Sequence, residues 1–427
     1  MLDLRLLVTT FIATLFVVAC SPVATETPTA ISQATDSPLL SPTQPAATAT
    51  PTERPNLTLR FWLPDSLAGL DSVDAGDVLS EQISEFEQSF PDIQVELRLR
   101  AASGTGGLLE TMNTAAQVAP GALPDVTLLR LQDFLVAAQE GLLQPLNERD
   151  LIVGADDFAP DVVDMAQIDN VWFGVPSTLE ILHVAYSSTE PTIESWRFDQ
   201  LLAARVPFLF PGMSENGLSP VFLLQYLVAG SQEPSNGVLT LDENALRATL
   251  RFYERAASDG LVSPTALEYS APERYPDALN EDIPTVVTSS LYLRALGEDR
   301  QLQPGYIPTT TGEPATTLDG WLWVVIRTGN EQQLAALRFI NWMLDAQRQS
   351  DYHKATHMLP AALAAQRQLD PDYAIFVESL FQNAVLLEPD LTNNLTARAL
   401  QSAYTAVISG QSTAADALSN AVAQIGG

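Results

Sequence analysis

The stretch Asn170 to Tyr186, NVWFGVPSTLEILHVAY, is a long apolar run interrupted in its middle by one carboxylate, Glu180. A fully buried, unpaired Glu carries a heavy desolvation penalty, so a Glu set between Leu179 and Ile181 needs a partner or faces a cleft. An edge strand that turns Glu180 to water is the other reading the residues allow. The chain on either side bears on which holds.

Towards the N-terminus, Leu57, Leu59 and Phe61 alternate with Thr58 and Arg60, a strand signal. Leu79, Ile83, Phe86 and Phe90 follow at helical spacing behind an expected cap at Asp77, and Pro91 closes that helix. Ile93 to Arg100 alternates again, and the turn Ser103-Gly104-Thr105-Gly106-Gly107 opens a helix through Leu108 and Met112. Val126 to Leu129 predicts a third strand and Phe134 to Gln139 a third helix. Strands separated by helices imply βαβ units and a mainly parallel sheet. Towards the C-terminus the pattern turns helical, broken by extended runs at Thr285 to Leu291 and Gly320 to Ile326. Thr413 with Asp416 predicts a capping box on the last helix. At 427 residues the chain exceeds what one core usually supports, so passages between two units are expected near 182, 286 and 325.

Fifty-two acidic against 21 basic residues give a net charge of -31, with Lys354 the only lysine. Such a surface repels phosphate backbones and anionic lipid, which excludes a nucleic-acid role. The single cysteine, Cys20, rules out a disulfide framework within one chain. Residues 1–20 hold Arg5, an apolar segment from Leu6 to Val18, and Ala19 before Cys20, which reads as a secretory signal; the ending Val17-Val18-Ala19-Cys20 resembles a bacterial lipobox and predicts a lipid anchor at Cys20. Residues 21–56 are mostly Thr, Ser, Pro and Ala with no periodic apolar face, and are expected to form a disordered tether reaching roughly 30 Å.

Taken in order, LTLRFWLP, EFEQSFPDIQVEL, LPDVTLLRLQDFLVAAQEGLLQPL, NVWFGVPSTLEILHVAY, ENALRATLRFYERAASDGLVSP and GWLWVVIRTGNEQQLAALRFINWML resemble the family 1 extracellular solute-binding proteins, which include maltose-binding protein. The resemblance implies an α/β fold of type II, two periplasmic-binding-protein-like lobes of mainly parallel sheet flanked by helices, joined by three crossovers. Residues 57–181 plus 286–325 would form the first lobe, and 182–285 plus 326–427 the second. It further implies a binding protein rather than an enzyme, expected to be monomeric and without cofactor or metal, that delivers a small solute, a carbohydrate first of all, to an ABC permease at the extracytoplasmic face of the membrane. Position by position it places Trp62, Asp65 and Ser66, the turn from Ser103 and Gly104 to Gly106, Gln132 with Asp133, and Glu180 on one side of a cleft, with Ser289, Ser290, Tyr292 and Trp321 across it. The basic residue that maltose binders use near the first strand has no counterpart here, and Pro64 stands where they carry an amide.

Sugar recognition needs flat apolar faces and planar carboxylate or amide groups. Trp62, Tyr292, Trp321 and Trp323 could supply the faces, and Asp65, Gln132, Glu180 and Asp319 the polar groups, although tryptophans are more often core than binding platforms. Enzyme motifs are incomplete. The Ser103 turn has Leu109 where a dinucleotide fingerprint needs its third glycine, His353-Lys354-Ala355-Thr356-His357 lacks the general base of a zinc protease, and Gly212 to Gly217 is one residue too long for a nucleophile elbow. A secreted carbohydrate-active enzyme on a similar scaffold is the alternative, and within the binding class a polyamine or other cationic solute. Glu180→Gln is expected to weaken binding and leave thermal stability nearly unchanged.

Overall fold

The computed structural model describes residues 57–68, 73–187, 195–215, 217–230, 238–274, 279 and 283–426. Cys20, the signal expected over 1–20 and the tether expected over 21–56 lie outside the described residues. The strands are β1 (Leu57–Pro64), β2 (Ile93–Arg100), β3 (Val126–Arg130), β4 (Gln167–Ile168), β5 (Val171–Trp172), β6 (Val175–Ser187), β7 (Thr285–Thr288), β8 (Leu302–Gly305), β9 (Thr316–Val325), β10 (Leu359–Pro360) and β11 (Ala384–Leu386).

β1 pairs in parallel with β2 and β3, joined by the helices Val73–Ser89 and Leu108–Val118, so the βαβ reading of this region holds. The first of these helices begins before the expected cap at Asp77. The sheet as a whole is mixed, in the order β10-β6-β9-β3-β1-β2, because β9 runs antiparallel to both β3 and β6 while pairing in parallel with β11.

β6 is the central element. Its first half pairs with β9, and its second half, from Leu182, pairs with β7 and β8. Two hydrophobic cores meet along it: Leu179 and Ile181 belong to the first, Leu182, Val184 and Tyr186 to the second. Phe61, Phe86, Trp323 and Phe339 centre the first core, with the Phe61 and Phe339 rings 5.2 Å apart. In the second, Phe222 stacks on Tyr404 at 4.1 Å and meets Tyr253 edge-on. Aromatic pairs of this kind add to the burial of their area.

Each core draws on several separate stretches of the chain. Apart from Ala185, which joins the first core, the chain changes core at 181/182 and 286/287, between Leu302 and Ile307, between Ala315 and Leu318, and between Phe381 and Leu391. Residues Ala335 to Phe381, expected with the second lobe, contribute Phe339, Ile340, Tyr373 and Val377 to the first core. β9 lies beside β3, so the helix Asn330–Met343 that follows it packs back onto that sheet. Apolar spacing marks which face of a helix is buried, not which sheet it covers.

The extended run expected to reach Leu291 stops at Thr288, whose hydroxyl accepts the Leu291 N–H and caps the helix Ser289–Gly297. At the last helix Thr413 Oγ1 accepts the Asp416 N–H at 3.1 Å, half of the expected box.

Candidate functional site

At the end of β3 the register sets Arg130 opposite Trp321, Trp321 opposite Thr178, and Asp319 opposite Glu180. Directly paired residues, and residues two apart on one strand, share a sheet face. Arg130, Asp319, Trp321, Thr178 and Glu180 therefore lie on one face, where β6 passes from one core to the other.

Arg130 Nε donates to Asp319 Oδ2 at 2.6 Å, and Asp319 Oδ1 accepts the Gly320 N–H at 2.7 Å. Asp319 is buried, whereas about half of the Arg130 side chain, 52%, stays exposed. Glu180 is held by the first turn of the 289–297 helix. One carboxylate oxygen accepts from Ser289 Oγ at 3.0 Å and Ser290 N at 3.1 Å, and the other from Ser290 Oγ at 2.9 Å. A helix N-terminus favours an anion through its free N–H groups and its dipole. Thr288 Oγ1 lies 3.2 Å from Ser290 Oγ and donates to Glu273 at 2.8 Å, which extends the network to a further carboxylate.

The electrostatics follow from enclosure. Burial raises the Glu180 carboxyl above its ordinary range; the N–H and hydroxyl of Ser290 and the hydroxyl of Ser289 oppose the rise, and the Glu273 charge adds to it. Burial also raises Asp133, against the pull of Arg130 and with a push from Asp319. The Arg130 guanidinium is raised by the Asp319 charge first, with Glu180 and Glu273 contributing in the same direction. One cation thus sits in the field of Asp319, Glu180 and Glu273, beside Asp133.

The remaining expected residues divide into two groups. Asp65 Oδ1 accepts from Ser66 N at 2.9 Å and Ala102 N at 3.1 Å, tying the loop after β1 to the loop after β2. Ser103 and Gly104 are exposed in that second loop, and Gly104 adopts φ 82°, which favours glycine. Gln132 is half-buried in the first turn of the helix Leu131–Gln139. Arg130 ends β3, and Asp65, Ser103, Gly104 and Gln132 follow the carboxyl ends of the parallel strands, the edge at which open α/β sheets take their ligands.

Trp62 and Tyr292 lie apart from the Arg130 face. Trp62 is 2% exposed, and because Phe61 pairs with Val126 it lies on the face opposite Arg130 and Trp321, with the Arg100 guanidinium 4.6 Å over its ring. Tyr292 is likewise 2% exposed, its ring 4.9 Å from both His183 and Tyr373 inside the first core. Trp323 packs with Phe61 and Phe339. Of these aromatics Trp321 is half-buried and on the polar face. Arg130 was missed by the sequence reading: it ends an apolar strand and directly precedes a helix, and its pairing with Asp319 depends on a strand far along the chain.

The profile of one family, the bacterial extracellular solute-binding proteins, matches residues 81–375. The chain belongs to this family. No curated protein matches this solute-binding protein. Among solved structures it is similar to the cyclic alpha-maltosyl-1,6-maltose binding protein from Arthrobacter globiformis, with 18% identity, TM-score 0.68, and coverage of 86% of this chain and 97% of that one. It is also similar to maltose-bound T. maritima MalE3 (18% identity, TM-score 0.63, 87% and 99% covered) and to a Thermotoga lettingae solute-binding protein bound with alpha-D-tagatose (18%, 0.64, 86% and 98%). These likenesses show the fold, the two-lobe α/β arrangement of type II.

In this solute-binding protein the balance at Glu180 bears on its replacement. Gln keeps an oxygen for Ser289 Oγ and Ser290 N, the Ser290 hydroxyl can turn to accept, and the penalty of a buried charge is lifted. Glu180→Gln is expected to change stability by less than about 1 kcal/mol, whereas Glu180→Ala strands three donors and loses about 2 kcal/mol or more. Denaturant midpoints for the two variants check this; equal losses would make Glu180 a brace alone.

Proposed function

We propose that this chain captures a small carbohydrate between its two lobes and delivers it to an ABC permease, as a monomer held at the extracytoplasmic face of the membrane by lipid on Cys20 and the 21–56 tether. The observation that carries the reading is the pair Glu180 and Asp319, side by side over Trp321 where the cores meet. Planar carboxylates pair with adjacent hydroxyls, and an aromatic face covers the C–H side of a sugar ring. Relatives bound to maltose and to tagatose support the ligand class. Binding without turnover is favoured because both carboxylates are already engaged, Asp319 by Arg130 and Glu180 by two serines, which leaves neither as an unpartnered acid or nucleophile. Closure of two lobes over a ligand that touches both is a population shift driven by that shared contact.

A thermal-shift screen of mono- and oligosaccharides, with product analysis of each hit, tests the proposal. Stabilisation without conversion is expected; conversion of the stabilising sugar would assign the chain to carbohydrate-active enzymes. Trp321→Ala is expected to weaken the stabilising sugar about tenfold, roughly 1.4 kcal/mol, by titration calorimetry. Unchanged affinity would remove Trp321 from the site. A cationic solute is the second reading, favoured by the surplus of carboxylates around Arg130. Stabilisation by spermidine or putrescine, with no sugar effective, would select it.

A further inference from the structure

A recess of about 260 Å³ lies in the first core's territory, lined by residues of the 289–297 helix, the helix Ala346–Thr356 and the segment after it. One wall carries Ser350, His353 and Lys354, at i, i+3 and i+4 on the helix, and His357, its left-handed C-cap. Side chains at i, i+3 and i+4 stand on one helix face. Leu293, Met358 and Leu369 make the opposing wall apolar.

This wall changes character along its length. Ser350 and His353 are 2% and 3% exposed, and Ser350 Oγ has no hydrogen-bond partner. The Ser177 carbonyl, which also accepts the Ala361 N–H at 2.9 Å, biases one ring nitrogen of His353 towards keeping a proton, and the other ring nitrogen has no hydrogen-bond partner. A buried polar group left unmatched is expensive, so unmatched groups lining a recess point to a ligand. Towards the other end Lys354 is exposed, and the half-buried His357 ring lies against Gly297, where an added Cβ would come within 2.9 Å of it. In a chain of net charge -31 with three histidines, the recess gathers its only lysine and two of those histidines, and no carboxylate lines it.

We infer that this recess is a second ligand site, for a small monocarboxylate whose apolar body carries a hydroxyl at its far end. The carboxylate meets Lys354 and His357, the body lies against Leu293, Met358 and Leu369, and the hydroxyl donates to a ring nitrogen of His353 and accepts from Ser350 Oγ. A free sugar fits poorly, since its hydroxyls would face the apolar wall. The site shares no lining residue with the Glu180 face.

Titration calorimetry on the full chain at low salt tests this with 4-hydroxybenzoate, 4-hydroxyphenylacetate and 8-hydroxyoctanoate. Saturable binding of at least one is expected. Affinity should fall about tenfold in Lys354→Ala, about tenfold in Ser350→Ala and about tenfold for the same probe without its hydroxyl, and vanish in Leu293→Trp, which fills the recess. Lys354 is exposed and Ala is the better helix former, so the first two variants keep the fold, which circular dichroism verifies. No binding of any probe at 10 mM, or affinities unchanged in both Lys354→Ala and Ser350→Ala, would overturn the inference.

Discussion

Between pH 7 and pH 5 the protein is expected to lose about 4 kcal/mol of folding stability through two buried histidines. His183 is fully enclosed beside Tyr292, Tyr373 and Phe376, with Nδ1 2.9 Å from the Val184 carbonyl and Nε2 3.1 Å from the Tyr373 hydroxyl. Neutral imidazole satisfies both, donating from Nδ1 and accepting at Nε2. Burial lowers His183 from 6.5 to about 4, and His353 from 6.5 to about 3. The unfolded chain takes up these protons near pH 6.5 while the native state refuses them. The stability is therefore fully present above 6.5 and is lost as pH falls, at up to about 1.4 kcal/mol per pH unit for each histidine. Glu180 and Asp133, whose carboxyls burial holds high, act with the opposite sign, adding stability as pH falls through their own range. Guanidinium midpoints should fall steeply across this window. His183→Gln retains a donor for Val184 and an acceptor for Tyr373, so it should roughly halve the slope; a slope that His183→Gln leaves intact would refute the assignment.

Gly320→Ala is expected to destabilise the fold by about 3 kcal/mol or more and to weaken solute binding with it. Gly320 pairs with Leu179 across β6 and β9, and a Cβ there would be driven into the Thr178 carbonyl oxygen and to 3.3 Å from the Leu179 Cα. Both atoms are backbone, so no side chain can swing aside and β6 must part from β9. Asp319 and Glu180 face each other across the adjacent position, so their spacing changes too. Gly76→Ala provides the control: it lies inside the helix Val73–Ser89 with nothing within 4 Å of an added Cβ, and should gain about 0.5–1 kcal/mol. A Gly320→Ala midpoint at or above that of the parent would contradict the β6–β9 register.

Much of the first sheet was legible because each residue reports its own environment. Leu57, Leu59 and Phe61 announce a strand by alternation, and Thr413 with Asp416 marks a helix start by local hydrogen bonding alone. Glu180 stood out because a lone charge in an apolar run demands an explanation, and three donors from Ser289 and Ser290 provide one. Arg130 did not stand out, since an arginine at a strand end is ordinary until Asp319 lies beside it. The helix carrying Phe339 was recognised but given to the wrong core, because its apolar face fits any sheet of suitable shape.

The sequence by itself determined the order of elements and the family, both of which rest on local periodicity and on residues taken in order. Only the tertiary structure decided which tryptophan shares a sheet face with Glu180 and Asp319. Strand side chains alternate, so a shift of one residue in register exchanges the faces. The pairing of Phe61 with Val126 and of Arg130 with Trp321 buries Trp62 on one side of the sheet and sets Trp321 on the other, beside Asp319 and Glu180.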